Sequence, residues 1–177
     1  MNISKRQGIC SVAFVIFGYI QSPKAVRAKK SKPILTVGRR EIVDFPDLGL
    51  FGLTAKIDTG ANTTALHCHH VRVEDGVLYF RLLDETHPEY QDTEHRFEKF
   101  EQKTIKSSFG ESEMRFIIRT KIRLGKRTLR GIVSLTDRAN MKYPVLIGRR
   151  LLKNRFLVDV SKLNNISSVN SANQPLK

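Results

Sequence analysis

From residue 34 onward the apolar residues fall into short runs rich in β-branched side chains, separated by turn signals. No stretch carries the 3.6-residue periodicity of a long amphipathic helix. Residues 34–43 form a first run, closed by Asp44-Phe45-Pro46-Asp47 and Gly49. Residues 53–57 form a second, ending on Asp58-Thr59-Gly60. Residues 66–73 and 77–83 flank Glu74-Asp75-Gly76, an Asp-Gly hairpin signal. Further runs at 103–107, 114–124 and 128–135 predict two more hairpins, the second turning at Gly125-Lys126. The run at 143–147 is followed by a short helical candidate at 150–153. The pattern predicts an all-β fold with one short C-terminal helix.

At 177 residues, with 40% hydrophobic and 27% charged residues, the chain suits one soluble domain with extensions. Residues 1–28 have the parts of an export signal: Lys5 and Arg6, an apolar stretch from Gly8 to Ile20, and small residues before a cleavage expected after Ala28. An uncleaved anchor is the alternative, and only that form would contact a membrane. A cleaved signal predicts the periplasm or cell envelope; a segment that is no signal predicts the cytoplasm. A basic linker at 29–33, a domain at 34–163 and a flexible polar tail at 164–177 complete the expected organisation. Cys10 and Cys68 imply no disulfide framework.

The formal charge is +14, and losing Lys5, Arg6, Lys24 and Arg27 with the first segment leaves the chain strongly basic. Such a balance suits an anionic polymer or an acidic peptide. The cations are scattered along strands, as in Lys121-Ile122-Arg123, without interleaved aromatics, which speaks against a specific nucleic-acid partner. Residues 84–101 reverse the sign, with Asp84, Glu85, Glu89, Asp92, Glu94, Glu98 and Glu101, and read as a solvated acidic surface loop.

The most specific chemical feature is Asp58-Thr59-Gly60-Ala61 at the end of an apolar strand. A carboxylate there emerges at a turn, Thr59 can support it by hydrogen bonding, and Gly60 lets the backbone pass close. A second apolar strand, Val145-Leu146-Ile147, ends on Gly148-Arg149 and leads into Arg150-Leu151-Leu152. In this order the two elements resemble the paired signature of retroviral-type aspartic peptidases, and the likeness extends over roughly residues 35–160. Within that class the chain is similar to a bacterial family labelled ATP-dependent zinc proteases. The likeness rests on Val37-Gly38-Arg39-Arg40-Glu41, Ala55-Lys56-Ile57-Asp58, Thr64-Ala65-Leu66-His67, Ser107-Ser108-Phe109-Gly110, Leu135-Thr136-Asp137-Arg138 with Met141, and Phe156-Leu157-Val158-Asp159. The sequence nevertheless has neither a glycine-rich phosphate loop for ATP nor a His-Glu-x-x-His zinc helix.

The resemblance implies a closed retropepsin-like barrel completed as a homodimer, since one Asp-Thr-Gly is present and a carboxylate pair needs two. It implies catalysis by Asp58, Thr59 and Gly60, supported by Ala61, Gly148 and Arg149, without a cofactor, on a peptide or protein substrate. A hairpin tip at Ser108, Phe109 and Gly110 would cover that substrate. Ala61 stands where a serine could offer the carboxylate a hydroxyl. Asn62 and Thr63 supply no acid to pair with Arg149, for which Asp137 and Asp159 are the candidates. Three other readings compete: a non-catalytic binding module on the same fold, a nucleophile at Cys68 or the Ser107-Ser108 pair, and a zinc hydrolase built on residues 67–70. On a regular strand, alternation would let only His67 with His69, or Cys68 with His70, share an ion.

Overall fold

The computed structural model describes residues 32–106 and 112–166. The export segment, most of the basic linker, the hairpin tip with Ser108, Phe109 and Gly110, and the tail beyond 166 lie outside the described residues. No helix among the described residues is long and apolar enough to cross a membrane.

The expected run at 34–43 is two strands in two sheets, β1 (Leu35–Val37) and β2 (Arg40–Phe45). The break falls at Gly38-Arg39. There the Gly38 N–H donates to Oε1 of Glu41 at 2.6 Å, a carboxylate with no solvent exposure. A 3-10 turn at Pro46–Leu48 leads into β3 (Leu50–Asp58). Strand β4 (Thr64–Glu74) turns through Asp75 and Gly76, both at positive φ, into β5 (Val77–Leu82). Two consecutive left-handed residues are what a tight type I′ hairpin requires.

The acidic segment is not simply a loop: Glu94–Phe97 forms β6, antiparallel to β5. The sequence hid this strand because it sits at an edge with only every second side chain half-buried. Strands β7 (Glu101–Lys106) and β8 (Ser112–Leu124) make the expected hairpin, and β9 (Arg127–Thr136) runs back along β8. The chain ends through β10 (Val145–Gly148), the short helix α1 (Arg149–Leu152) and β11 (Phe156–Val158).

Strands β10, β3, β2, β8, β9 and β4 are hydrogen bonded in that order, and β4 pairs with β10 to close the ring. A closed barrel leaves no free edge around its circumference. Its interior is filled by Leu53, Ala55, Leu66, Ile118, Ile122, Leu124, Val133, Val145 and Ile147, all fully buried. The alternation of strands such as β2, buried at every second residue, places these side chains on one face. Only the first part of β4 belongs to the ring; its second half leaves to pair with β5, which in turn pairs with β6. Strand β1 pairs in parallel with β11 outside the barrel.

Asn164 to Ile166, expected in the flexible tail, are tied to the domain. Asn164 N–H donates to Arg40 O at 2.7 Å, Asn165 N–H to the buried Glu41 carboxylate at 2.9 Å, and Asn165 Nδ2 to Thr36 O at 2.6 Å. A buried carboxylate is stable only when donors surround it, and the C-terminal segment supplies several of them.

Candidate active site

Strand β3 ends on Asp58 beside the end of β10, with Ile57 opposite Ile147 and Asp58 opposite Gly148 in a parallel register. The two sequence elements separated by some ninety residues are therefore neighbouring strands. Oδ1 of Asp58 accepts the N–H of Gly60 at 2.9 Å and the N–H of Ala61 at 3.1 Å. Ala61 thus supports the carboxylate through its backbone. Two donors on one oxygen leave Oδ2 uninvolved in the turn. Thr59 and Gly60 face solvent.

Gly148 packs so tightly against the turn that a Cβ there would lie 2.6 Å from the carbonyl carbon and oxygen of Thr63. No larger residue fits without moving the backbone of one strand. Arg149 finds its partner in the turn itself: Nη1 donates to Gly60 O at 2.6 Å, and its backbone N–H donates to Ala61 O at 2.8 Å. Neither Asp137 nor Asp159 pairs with it. Asp159 serves Ser161 and Lys162, and Asp137 accepts the Ala139 N–H. A cleft of about 750 Å³ opens beside this turn, lined by Thr59, Asn62, Arg149 and Arg150 together with Phe156, Leu157 and Val158.

The histidine cluster differs from the alternating picture. His70 has a φ of 49° within a bulge of β4, so His69 and His70 do not point to opposite faces; their Nδ1 atoms lie 2.7 Å apart. His67 is buried, and both its ring nitrogens are engaged. Nδ1 accepts the backbone N–H of Arg138 at 2.8 Å, which leaves Nε2 to carry the hydrogen and donate to Oδ2 of Asp84 at 2.9 Å. Those bonds withhold His67 from the His67–His69 metal pairing. Among the described residues no group of three or more His, Cys, Asp or Glu side chains is arranged to hold a metal ion.

Asp84 is therefore no freely solvated loop residue. The Thr86 hydroxyl and N–H, together with His67, hold its carboxyl below the usual carboxylate range. Cys68 is buried, and that burial pushes its thiol up to about 12, with Asp137 and Glu113 adding to the effect. A thiol so protonated is a poor nucleophile.

One cation was given no role of its own in the sequence reading. Arg138, half-buried on the connection between β9 and β10, donates through Nε to Tyr143 O at 3.1 Å. Burial and then the charge of Arg115 lower its proton affinity, while Asp58 acts in the opposite direction. No spacing rule marks such a residue, because its place depends on how the connection folds back over the barrel.

A closed six-stranded barrel that presents an Asp-Thr-Gly turn beside an Ile-Gly-Arg strand defines a retropepsin-like protein. The chain belongs to the RimB-like family, described as "Retropepsin-like aspartic endopeptidase RimB", which residues 36–167 match. Curated relatives include two proteins named "Probable alpha-L-glutamate ligase". One, from Shewanella pealeana, is 35% identical over 133 residues, covering 71% of this chain and 28% of the relative. The other, from Desulfotalea psychrophila, is 32% identical over 129 residues, covering 70% and 27%. The chain thus spans little more than a quarter of the length of the curated relatives it matches. A crystal structure of Lpg0085, a protein of unknown function (DUF785) from Legionella pneumophila, superposes with a TM-score of 0.54 at 24% identity, over 76% of this chain and 99% of that one. At that identity the likeness speaks for the fold alone.

Proposed function

We propose that the chain is an aspartic endopeptidase that works as a homodimer, with Asp58 of each protomer supplying one carboxylate of the catalytic pair. The observation that carries this reading is the Asp58 carboxylate held by the Gly60 and Ala61 N–H groups on an exposed turn braced by Arg149. Each protomer offers one such turn, and a second copy meeting it across a two-fold axis completes the pair. One Asp58 then acts as general base on a bound water that attacks the peptide carbonyl. The other, protonated, donates to the carbonyl oxygen. Thr59 braces one turn against its partner, and Gly60 shapes the turn. The β7–β8 hairpin closes over the substrate. Exposed Leu157, beside the cleft next to Thr59, adds apolar surface for the second copy.

The substrate is an acidic peptide. A formal charge of +14 and the Arg149 and Arg150 side chains lining the cleft beside Thr59 favour a carboxylate-bearing chain. The ligase name of the longer relatives fits this substrate class, since an enzyme that joins glutamates and one that cleaves them handle the same glutamyl chain.

The test is hydrolysis of an acidic peptide library by the wild type and by Asp58→Asn, with sedimentation of both. Hydrolysis by the wild type, its loss in a dimeric mutant, and indifference to chelators are expected. Equal turnover by the mutant, or a chelator-sensitive activity restored by zinc, would reject the aspartic mechanism.

A further inference from the structure

We infer that His69 and His70 form a binding site for divalent copper, the ion held between their two Nδ1 atoms. The inference is independent of the peptidase reading, because the pair stands on the part of β4 that has left for β5, outside the ring that carries Asp58.

On a regular strand, neighbouring side chains point to opposite faces and cannot share an ion. Here the register with β5 shifts between His69 and Arg72, and His70 sits at a φ of 49°. Histidine is among the few side chains found in that region with any frequency, and a bulge re-aims the side chains around it. The two rings consequently meet edge to edge. Their Nδ1 atoms lie 2.7 Å apart while the ring centres are 4.6 Å apart, with planes inclined by 58°. Among the described residues no other hydrogen bond engages either ring, and Nε2 of His69 is buried without a partner. His67 is the contrast, since Arg138 and Asp84 occupy both of its nitrogens.

The spacing selects the metal. Two nitrogens bound at ~2.0 Å and about 90° apart in a square plane are separated by ~2.8 Å, whereas a tetrahedral zinc ion with similar bonds sets them ~3.3 Å apart. The observed 2.7 Å matches the square-planar case, the geometry of divalent copper. In the hydrogen-bonded pair one ring carries its hydrogen on Nδ1; moving it to Nε2 of the same ring lets both neutral imidazoles present a lone pair to the ion. Water completes the plane. A cavity of about 330 Å³ lined by His70, Val71, Arg72, Arg81 and Glu94 provides the room. Its arginines do not repel the ion as free charges would, because Arg72 is paired with Glu74 and Glu94, and Arg81 with Asp92.

The test is titration of the full chain with copper(II) chloride in a non-coordinating buffer, read by calorimetry and electron paramagnetic resonance. A single ion per chain with an axial spectrum and nitrogen hyperfine splitting is expected. His70→Asn suits the left-handed backbone but carries no imidazole. It should weaken binding at least ~10-fold, since loss of even an outer-shell partner commonly costs that much. His69→Ala should do the same, whereas His87→Gln, in the segment after β5, should leave the affinity unchanged. Zinc chloride should bind at least ~10-fold more weakly than copper. No copper bound, a spectrum without nitrogen splitting, or zinc held as tightly as copper overturns the inference. So does undiminished binding by His70→Asn or His69→Ala, or an equal loss in His87→Gln. If His69→Ala does not fold, His70→Asn decides alone, because the His70 side chain is exposed.

Discussion

Arg149 holds the turn of Gly60 by its side chain, with Nη1 2.6 Å from the Gly60 carbonyl oxygen. Its own N–H meets the next carbonyl, that of Ala61, at 2.8 Å. The first residue of α1 therefore anchors the segment that follows Asp58, and the anchor is a main-chain oxygen rather than an acid.

Arg149→Ala should loosen this turn. The side-chain bond is charge-assisted but solvent-accessible, so a stability loss of about 1 kcal/mol is expected. The larger consequence falls on the exposed Thr59-Gly60 surface. If the proposed homodimer forms through this turn, sedimentation should show a shift toward monomer; a mutant that remains a dimer with altered cleavage preference would mean that Arg149 serves substrate instead.

Gly148→Ala forces a methyl group against the Thr63 carbonyl at 2.6 Å, a contact with backbone that no rotamer change relieves. Overpacking of this kind costs about 1–3 kcal/mol. Urea denaturation should register that loss, and wild-type stability would show that β10 can shift away from β4.

His67→Ala removes a buried ring that satisfies the Arg138 N–H and part of Asp84. A void and an unpaired donor together should cost about 2–4 kcal/mol. Asp84→Ala, at the more exposed end of the same chain of bonds, should cost less. Equal losses in equilibrium denaturation would contradict the ordering.

Acid should weaken the fold through His95. Burial lowers its imidazole below the ordinary 6.5, in a position stacked on Phe80 at 5.5 Å. The folded state then binds fewer protons than the unfolded state, so stability is complete above pH 6.5 and falls as the pH drops through 6.5 toward the folded value. His69, lowered by burial and by His70 and His67, acts in the same direction. His95→Phe should remove part of the decline in urea midpoint between neutral and mildly acid pH. An unchanged decline would assign it to other groups.

Cys68 should resist alkylation in the native protein at pH 8 and react on unfolding, since its buried thiol is pushed up to about 12. Mass spectrometry of iodoacetamide-treated protein, resolved by peptide, reads this directly. Rapid native labelling of Cys68 would show that β4 opens far more easily than its pairing with β5 and β9 implies.

Much of the fold is legible along the chain because its signals are local. The short β-branched runs, the Asp75-Gly76 turn and the Gly125 turn depend on residues within a few positions of one another. Other features depend on distant partners. β6 is set by its pairing with β5, the break between β1 and β2 by the carboxylate of Glu41, and the order at Asn164 to Ile166 by the same carboxylate. A hydrophilic segment carries no periodic mark of an edge it will pair with, and a polar tail no mark of the buried acid it will cap.

The amino-acid sequence by itself determined the all-β class and the two motifs around Asp58 and Gly148, because backbone propensity and turn chemistry act over short distances. Barrel closure decided the rest. It set Asp58 beside Gly148, gave Arg149 the Gly60 carbonyl instead of an acid, and engaged both nitrogens of His67. The physical reason is that an unpaired donor or charge takes whichever partner three-dimensional packing delivers, and strand pairing across some ninety residues is what delivers it.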